Sequence, residues 1–347
     1  MAILITGGSG FIGAHTSVEM LNAGYDIVLF DNFSNSQPEV LRRIYEVTNK
    51  SFRFYELDMR DKQLLEKVFS ENSIDAVIHL AGLKAVGESI HLPLKYYDNN
   101  INGTVTLIEM MKKYEVKKLV FSSSATVYGL QTQVPISEDN LLEATNPYGR
   151  SKLMIEEILR DLYVSDKEWS IIPLRYFNPV GAHQSGRLGE YPNGTPNNLT
   201  PFITQVAAGK LREMNIYGNN YPTPDGTGIR DYLHVTDLAL GHVKAIEKVM
   251  SGATGVNAYN LGTGRGYSVL EMIHTFERIT GKIIPYSIVE RRPGDVAVCY
   301  ADPTKAKVEL GWEAHKGIEE MCIDAWRWQV NNPNGYESSF ELERSWV

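Results

Sequence analysis

Three polar side chains have the types and the spacing for hydride transfer at an alcohol carbon. Ser124 closes a serine triplet that follows the apolar residues 119–121, and Tyr148 and Lys152 lie four residues apart at the start of a predicted helix. Residues at this spacing share one helix face. The ordinary pKa of tyrosine, about 10, is too high for a base at neutral pH, but a neighbouring ammonium group favours the phenolate. We therefore predict that Tyr148 is the base and that Ser124 donates a hydrogen bond to the reacting oxygen.

A glycine-rich turn after the first predicted strand indicates a dinucleotide site. Gly7, Gly10 and Gly13 follow the apolar residues 3–5 and lead into an amphipathic segment. Glycine allows the tight turn and the close approach of a diphosphate, and the helix N-terminus offers its amides to the anion. Asp31 ends the second apolar run, where a carboxylate can hold the ribose diol. Because Asp31 would repel a 2′-phosphate, the sequence favours NAD over NADP.

Short apolar runs alternate with helical patterns through the first half of the chain. The strand candidates are residues 3–5, 27–30, 52–55, 76–80, 119–121 and 170–174, and the helix candidates are residues 15–22, 62–70, 96–114 and 148–163. This alternation predicts an α/β fold, a Rossmann-type doubly wound parallel sheet with helices on both faces. Ligands bind such sheets at the carboxyl ends of the strands, where Ser124 is placed.

The pattern changes after about residue 177. Residues 183–201 and 218–228 are rich in glycine, proline and asparagine, and long irregular loops are usually functional. Further on we predict helices at residues 235–250, 269–280 and 317–330, and a strand at residues 258–261 that returns to the sheet. We predict an NAD-binding Rossmann domain from residues 1–177 plus about 231–262, and a smaller C-terminal α/β substrate domain from residues 178–230 plus 263–347.

Composition excludes several other classes of protein. The 347 residues carry a net charge of −8 without a basic stripe, which argues against nucleic-acid binding. Cys299 and Cys322 are the only cysteines and the eight histidines are scattered, so no disulfide framework and no metal site is expected. No apolar run reaches the roughly 18 residues of a membrane span, and no signal peptide is recognisable. We expect a cytoplasmic enzyme.

Five longer strings carry a resemblance to a known family. They are residues 6–13 (TGGSGFIG), 79–89 (HLAGLKAVGES), 122–129 (SSSATVYG), 174–182 (LRYFNPVGA) and 225–235 (DGTGIRDYLHV). With them the chain resembles the UDP-galactose 4-epimerases of the extended short-chain dehydrogenase/reductase family over essentially its whole length. The resemblance implies that Tyr148 takes the proton of the sugar 4-hydroxyl while the C4 hydride passes to NAD. The 4-keto sugar then turns over and takes the hydride back on its other face.

The resemblance also implies the site residues. The catalytic residues are Ser124, Tyr148 and Lys152. The cofactor-binding positions are Gly7, Gly10, Phe11, Ile12, Gly13, Asp31, Asn32, Asp58, Met59, Ala81, Gly82, Lys84, Asn99, Ser122, Tyr148, Lys152 and Phe177. The substrate-binding positions are Lys84, Ser124, Ala125, Thr126, Tyr148, Asn178, Asn198, Leu199, Tyr217, Arg230, Arg292, Asp295 and Cys299. The forked guanidinium groups of Arg230 and Arg292 suit a pyrophosphate, while Tyr217 suits stacking on uracil.

Cys299 bears on the choice of sugar. Epimerases restricted to UDP-glucose and UDP-galactose resemble this run but have tyrosine at that position, where a phenol ring closes the pocket beside C2. A thiol leaves volume for an N-acetyl group, so we predict that UDP-GlcNAc and UDP-GalNAc are interconverted as well. In the alternative, Cys299 is a small buried residue and Tyr300 closes the pocket.

Proteins with this fold also have other functions, which stay as alternatives. Nucleotide-sugar 4,6-dehydratases resemble this chain but carry an Asp-Glu pair where Ala125 and Thr126 stand. A UDP-glucuronate epimerase or decarboxylase is a further alternative, and decarboxylating relatives usually have a glutamate nearby. A non-catalytic NAD-sensing protein would usually lack the tyrosine or the lysine. For assembly, the resemblance implies a homodimer through a four-helix bundle of the helices at residues 96–114 and 148–163; the alternative is a monomer.

Overall fold

The computed structural model describes residues 1–336 except 132, 193, 195, 197 and 293. Over these residues the strands are β1 (Ala2–Thr6), β2 (Asp26–Asp31), β3 (Arg53–Glu56), β4 (Ile74–His79), β5 (Lys118–Ser122), β6 (Ser170–Tyr176), β7 (Asn178–Val180), β8 (Met214–Tyr217), β9 (Ile229–Arg230), β10 (Tyr232–His234), β11 (Gly255–Val256), β12 (Tyr259–Leu261), β13 (Tyr267–Ser268), β14 (Tyr286–Val289) and β15 (Val298–Cys299). The α-helices are α1 (Phe11–Asn22), α2 (Glu39–Thr48), α3 (Lys62–Glu71), α4 (Val86–His91), α5 (Pro93–Tyr97), α6 (Gly103–Lys113), α7 (Pro147–Ser165), α8 (Leu199–Ala207), α9 (Val235–Met250), α10 (Val269–Thr280), α11 (Thr304–Leu310) and α12 (Ile318–Asn331).

A parallel sheet forms the centre of the molecule. Its order is β6-β5-β4-β1-β2-β3, and β11 and β12 both pair with the outer side of β6. The winding direction reverses between β1 and β4, so this point is the topological switch where such sheets bind ligands. The arrangement confirms the predicted Rossmann-type doubly wound fold, and the strand predicted at residues 258–261 is β12.

Apolar side chains cover both faces of the sheet. On one face α1, α2 and α9 bury residues such as Val18, Ile44 and Ile246 against the strands. On the other face α3, α6 and α7 bury residues such as Phe69 and Leu107. Because each face is covered by helices, the strands read as continuous apolar runs, which is typical of parallel sheets.

A third core lies outside the central sheet. It packs α8, α10 and α12 together with β8 through residues such as Ile203, Phe276 and Met321. Small sheets accompany it: β7 pairs with β10, β8 with β14, and β9 with β13 and β15. This part contains the segments predicted to bind substrate, and the exact division into two domains stays a prediction.

The single helix predicted over residues 96–114 is wrong in its start and in its regularity. Pro93 occupies the first helical turn, so the helix begins earlier as α5, and a π-helical turn over Asp98–Asn102 separates α5 from α6. Such turns insert one residue and often occur at functional sites. Helices α2, α4, α8 and α11 were not predicted, and α8 begins within the segment 183–201 that was predicted to be irregular. The strand predicted from residue 52 begins at Arg53.

Two further features concern the described residues as a whole. None of their helices is long and apolar enough to cross a membrane. Nor do they contain a group of three or more histidine, cysteine, aspartate or glutamate side chains placed to hold a metal ion.

Candidate active site

The glycine turn lies at the topological switch of the sheet. Gly7 has a φ of +66°, and a Cβ there would stand 2.8 Å from the main-chain nitrogen of Ala81. A Cβ on Gly13 would stand 2.1 Å from the carbonyl oxygen of Gly7. Helix α1 begins at Phe11 after Gly10, with no side-chain cap and no acidic residue in its first turn. The amides of this turn, including those of Phe11 and Ile12, therefore suit an anionic diphosphate.

The Asp31 carboxylate lies beside this turn. Its Oδ2 accepts from the amide of Ser9 at 3.2 Å, and its Oδ1 accepts from the amide of Phe33 and from Ser36 Oγ, both at 2.9 Å. These bonds hold the carboxylate at the end of β2. The position and charge fit the hydroxyl groups of a ribose next to the diphosphate.

A second group of predicted cofactor residues lies directly after β2 and β3. Asn32 Nδ2 donates to Asp58 Oδ2 at 3.1 Å. Hydrogen bonds from Arg60 hold the pKa of Asp58 at about 2, below its usual range. Met59 is buried beneath α6, where a Cβ on Gly103 would stand 2.4 Å from Met59 Cε. Glycine at the start of α6 thus makes room for Met59.

The π-helical turn brings Asn99 and Asn100 to the loop after β4. Asn100 is buried; its Oδ1 accepts from the amide of Leu83 at 2.8 Å, and its Nδ2 donates to the carbonyl oxygen of Leu83 and to Ser151 Oγ, both at 3.0 Å. Asn99 Nδ2 donates to Asn100 Oδ1 at 3.0 Å. A Cβ on Gly82 would stand 3.3 Å from that same oxygen. Asn100, which the sequence analysis did not single out, therefore fixes the loop that carries Ala81, Gly82 and Lys84.

Lys84 and Asn198 share one carboxylate. Lys84 Nζ lies 3.0 Å from Glu190 Oε1, and Asn198 Nδ2 donates to the same oxygen at 2.6 Å. Asn198 precedes α8, and Leu199 is the first residue of that helix. The structure thus joins a predicted cofactor residue to a predicted substrate residue through Glu190, which the sequence analysis missed.

Ser124, Tyr148 and Lys152 come together where β5 ends. Ser124 Oγ accepts from the amide and the hydroxyl of Thr126, at 3.2 and 3.0 Å, and so caps the 3₁₀ turn Ala125–Tyr128. Tyr148 lies in the first turn of α7, after Pro147. Lys152 Nζ donates to the carbonyl oxygen of Ser122 at 2.7 Å.

Burial shifts the pKa values of Tyr148 and Lys152. Desolvation raises the pKa of Tyr148, and a hydrogen bond with Ser124 opposes that rise. Desolvation also lowers the pKa of Lys152 to about 8. The Ser124 hydroxyl is therefore the protein group that favours the phenolate here, while the Lys152 ammonium is already engaged with a main-chain oxygen.

Tyr176 is a further residue of this site that the sequence analysis did not select. Its hydroxyl and Ser122 Oγ share a hydrogen bond, and its buried phenol interacts electrostatically with Tyr148. The sequence could have indicated Tyr176, because this residue lies within the string 174–182 that also contains Phe177 and Asn178.

Two predicted site residues follow Tyr176 in the chain. Phe177 is buried and donates its amide to the carbonyl oxygen of Leu261 at 3.1 Å, and Asn178 begins β7 with its side chain exposed.

A second cluster gathers the predicted substrate residues of the C-terminal part. Arg230 Nη2 donates to Asp295 Oδ1 at 2.6 Å, and Arg292 Nε lies 3.3 Å from Asp295 Oδ2. The guanidinium carbon of Arg292 stands 4.6 Å from the centre of the Tyr217 ring. Four residues from three separate segments of the chain thus form one surface with two forked cations and an aromatic ring.

Cys299 lies between the 3₁₀ turn that Ser124 caps and the cluster that contains Arg230. It pairs with Arg230 between β15 and β9, and it packs against an apolar group that includes Val127, Phe177 and Ala125. Burial raises the pKa of Cys299 to about 11, so the thiol is neutral at pH 7. Cys299 is thus a small uncharged side chain between the 3₁₀ turn and the arginine cluster.

The chain matches a family and many individual proteins along most of its length. Residues 4–325 match the family described as GDP-mannose 4,6 dehydratase. UDP-glucose 4-epimerase of Bacillus subtilis is 63% identical over 339 residues, which cover 98% of this chain and 100% of that protein. The crystal structure of UDP-glucose 4-epimerase from Bifidobacterium longum in complex with NAD⁺ and UDP is 55% identical, with a TM-score of 0.93 over 96% of this chain and 100% of that one. The UDP-Glc/GlcNAc 4-epimerase of Campylobacter jejuni is 36% identical, with a TM-score of 0.83 over 95% and 99% of the two chains.

Proposed function

This chain belongs to the UDP-glucose 4-epimerases of the extended short-chain dehydrogenase/reductase family, and we propose that it interconverts UDP-glucose and UDP-galactose by inversion at C4. The observation that carries the proposal is the meeting of Ser124, Tyr148 and Lys152 at the end of β5, in the same parallel sheet whose strand β1 leads into the glycine turn. A proton-transfer group and a dinucleotide site then share one edge of the sheet.

The residues at the switch point fit NAD. The uncapped start of α1 suits the diphosphate, Asp31 suits a ribose diol, and glycine at positions 7 and 13 lets the turn approach Ala81 and its own main chain closely. NAD, when bound, supplies the acceptor and later the donor of the C4 hydride. Lys152 has three donors, so while one is bound to Ser122 the others can reach the hydroxyls of the nicotinamide ribose.

The proton follows a short path through this chain's side chains. Tyr148 removes the proton of the sugar 4-hydroxyl as a phenolate and returns it to the same oxygen after the ring has turned over. Ser124 donates to that oxygen and stabilises the charge that develops on it. Serine has a single O–H donor, so before the sugar binds Ser124 favours the ionised phenol against burial through its bond with Tyr148, and it turns to the sugar oxygen as Tyr148 takes the proton. Because proton and hydride are both returned, no net oxidation occurs.

The arginine cluster suits the UDP part of the substrate. Arg230 and Arg292 offer forked donors to the diphosphate, Tyr217 offers a ring to uracil, and Asp295 can accept from the uridine ribose. Both arginines are paired with Asp295 in the structure, so Asp295 also keeps the two guanidinium groups facing one surface. Asn178 and Asn198 can bind the sugar hydroxyls.

We propose further that N-acetylated sugars are substrates. Cys299 is small and neutral, and it lies among Ala125, Val127 and Phe177 where a larger ring would occupy volume. The similarity to a UDP-Glc/GlcNAc 4-epimerase over 95% of this chain is compatible with such a pocket.

Alternative activities have less support. The matched family is named after a dehydratase, but elimination of water at C5 and C6 needs an acid and a base, and Ala125 and Thr126 offer neither. The same lack argues against a UDP-glucuronate epimerase or decarboxylase. An NAD sensor without turnover would not need Ser124, Tyr148 and Lys152 together. A cytoplasmic location and a homodimer built from the outer faces of α6 and α7 stay predictions.

The direct test is product analysis with a matched variant. Purified protein is incubated separately with UDP-galactose and with UDP-GlcNAc, and the products are separated by chromatography. We expect UDP-glucose and UDP-GalNAc, and about a 10²- to 10⁴-fold lower rate for Tyr148→Phe. A 4-keto-6-deoxy product, or a Tyr148→Phe variant as fast as wild type, would overturn the proposal.

A further inference from the structure

Glu156 and Arg175 form a buried ion pair next to the catalytic residues, and neither side chain takes part in the proposed proton transfer. Glu156 lies one helical turn beyond Lys152 in α7 and is fully buried. Its Oε1 accepts from Arg175 Nε at 3.0 Å and its Oε2 accepts from Arg175 Nη2 at 2.6 Å. Arg175 is 2% exposed. Because desolvation offsets most of the attraction in such a pair, burial of two charges is weak evidence for a purely stabilising role.

The pair is bonded to the serine triplet. Ser123 Oγ donates to Glu156 Oε1 at 2.6 Å. The preceding residue, Ser122, accepts from Lys152 through its carbonyl oxygen, and the following residue is Ser124. Two successive residues of the triplet are therefore attached to α7, the helix that begins with Tyr148.

Arg175 extends the connection to the other end of the 3₁₀ turn. Its Nη1 donates to the hydroxyl of Tyr128 at 3.0 Å, and Tyr128 donates to Asn260 Oδ1 at 2.6 Å. Tyr128 is the last residue of the turn that Ser124 caps, and it is fully buried. The ion pair thus holds both ends of the segment 123–128.

We infer that Glu156 and Arg175 form a buried positioning pair, which sets the place of Ser124 relative to Tyr148 and thereby governs the chemical step. The inference rests on the proposed function. Among the described residues, Arg230, Arg292 and Asp295 lie on other elements and are bonded to one another, not to the pair, so binding of the UDP part of the substrate does not depend on it. A displacement of Ser124 by a fraction of an ångström weakens its bonds to the reacting oxygen and to Tyr148, and rates are sensitive to such shifts.

The test removes one bond and leaves the charges compensated. In Ser123→Ala the Glu156–Arg175 pair remains, so the variant is expected to fold. We expect kcat to fall about 10- to 100-fold while KM for UDP-galactose stays within about twofold. We also expect the rise of kcat with pH to move to higher pH, because a weaker Ser124–Tyr148 bond lets burial raise the pKa of Tyr148 further.

Tyr259→Phe is the matched control. It removes another hydroxyl-to-carboxylate bond, from Tyr259 to Glu309 Oε2 at 2.7 Å, from a fully buried tyrosine that does not touch the triplet. Both variants are compared by thermal unfolding, NAD retention, kcat, KM and the pH profile. The inference requires that only Ser123→Ala changes kcat and the pH profile.

A second variant tests the ion pair itself. Arg175→Lys keeps the charge but loses the fork that binds both carboxylate oxygens, and we expect the same loss of kcat at nearly constant KM. If both variants lower only the unfolding temperature, as we expect of Tyr259→Phe, the pair is purely structural and the inference is wrong. If wild type itself does not convert UDP-galactose, the proposed function fails instead.

Discussion

Lys152 donates a hydrogen bond of 2.7 Å from Nζ to the main-chain carbonyl oxygen of Ser122. This bond joins the first half of α7 to the end of β5, so the helix that carries Tyr148 cannot shift along the strand that leads to Ser124 without losing it. Burial lowers the pKa of Lys152 to about 8, and the carbonyl oxygen compensates part of the lost hydration. Lys152 therefore has a structural task beside its proposed contact with the cofactor.

Ser124→Ala is expected to move the pH dependence of turnover. The Ser124 bond lowers the pKa of Tyr148 against the effect of burial, so its removal raises that pKa. The base must be ionised, hence the rise of kcat occurs at higher pH. We also expect kcat at its plateau to fall about 10²-fold, as when one donor to a developing oxyanion is lost. Initial rates with UDP-galactose across a pH series test this, and an unshifted profile would contradict it.

Gly13→Ala is expected to damage both folding and cofactor binding. The new Cβ would stand 2.1 Å from the carbonyl oxygen of Gly7 and 2.9 Å from Gly8 Cα. Main chain cannot yield as a flexible side chain does, so we expect a loss of about 3 kcal/mol in the free energy of unfolding and weaker retention of NAD.

Gly87→Ala is the control for that change. Gly87 lies in α4, and an added Cβ there meets no atom within 4 Å. Urea unfolding and cofactor content should stay close to those of wild type. Equal behaviour of the two variants would show that the close approach at Gly13 is unimportant.

Cys299→Tyr is expected to narrow the choice of sugar. A phenol in place of the thiol would occupy the space between the 3₁₀ turn and Arg230. The rate of UDP-GlcNAc conversion should therefore fall by about tenfold or more, while the rate of UDP-glucose conversion stays close to that of wild type. Cys322→Ala, at a buried cysteine in α12, is the control and should leave the ratio of the two rates unchanged. A wild-type protein that ignores N-acetylated sugars would refute the prediction.

The predicted homodimer can be tested at the outer faces of α6 and α7. Val105 and Met154 are apolar side chains, 38% and 49% exposed, on the helices proposed to form the four-helix bundle. We expect sedimentation at twice the 39.0 kDa chain mass, and dissociation on Val105→Glu combined with Met154→Glu. Leu240→Glu, at a similarly exposed residue of α9 on the other face of the sheet, should leave the mass unchanged. A wild-type mass of one chain would refute the dimer.

Much of the fold could be predicted because its signals are local. Alternating apolar runs and helical patterns indicated the parallel sheet, and the glycine turn followed from conformations that glycine adopts most readily. The exceptions also have local causes. Pro93 starts α5 earlier than predicted, and the π-helical turn over Asp98–Asn102 leaves no mark in a helical pattern because it changes the register by only one residue.

Residue types and short spacings were thus enough to predict the sheet, the dinucleotide turn and the Tyr148–Lys152 pair, since each depends on neighbours in sequence. Three carboxylates meet their partners only in the folded chain. Glu190 lies between Lys84 and Asn198. Asp295 lies between Arg230 and Arg292. Glu156 lies against Ser123 and Arg175. These contacts join residues up to 106 positions apart. No periodicity encodes such distances, because the packing of whole helices and strands determines which side chains meet.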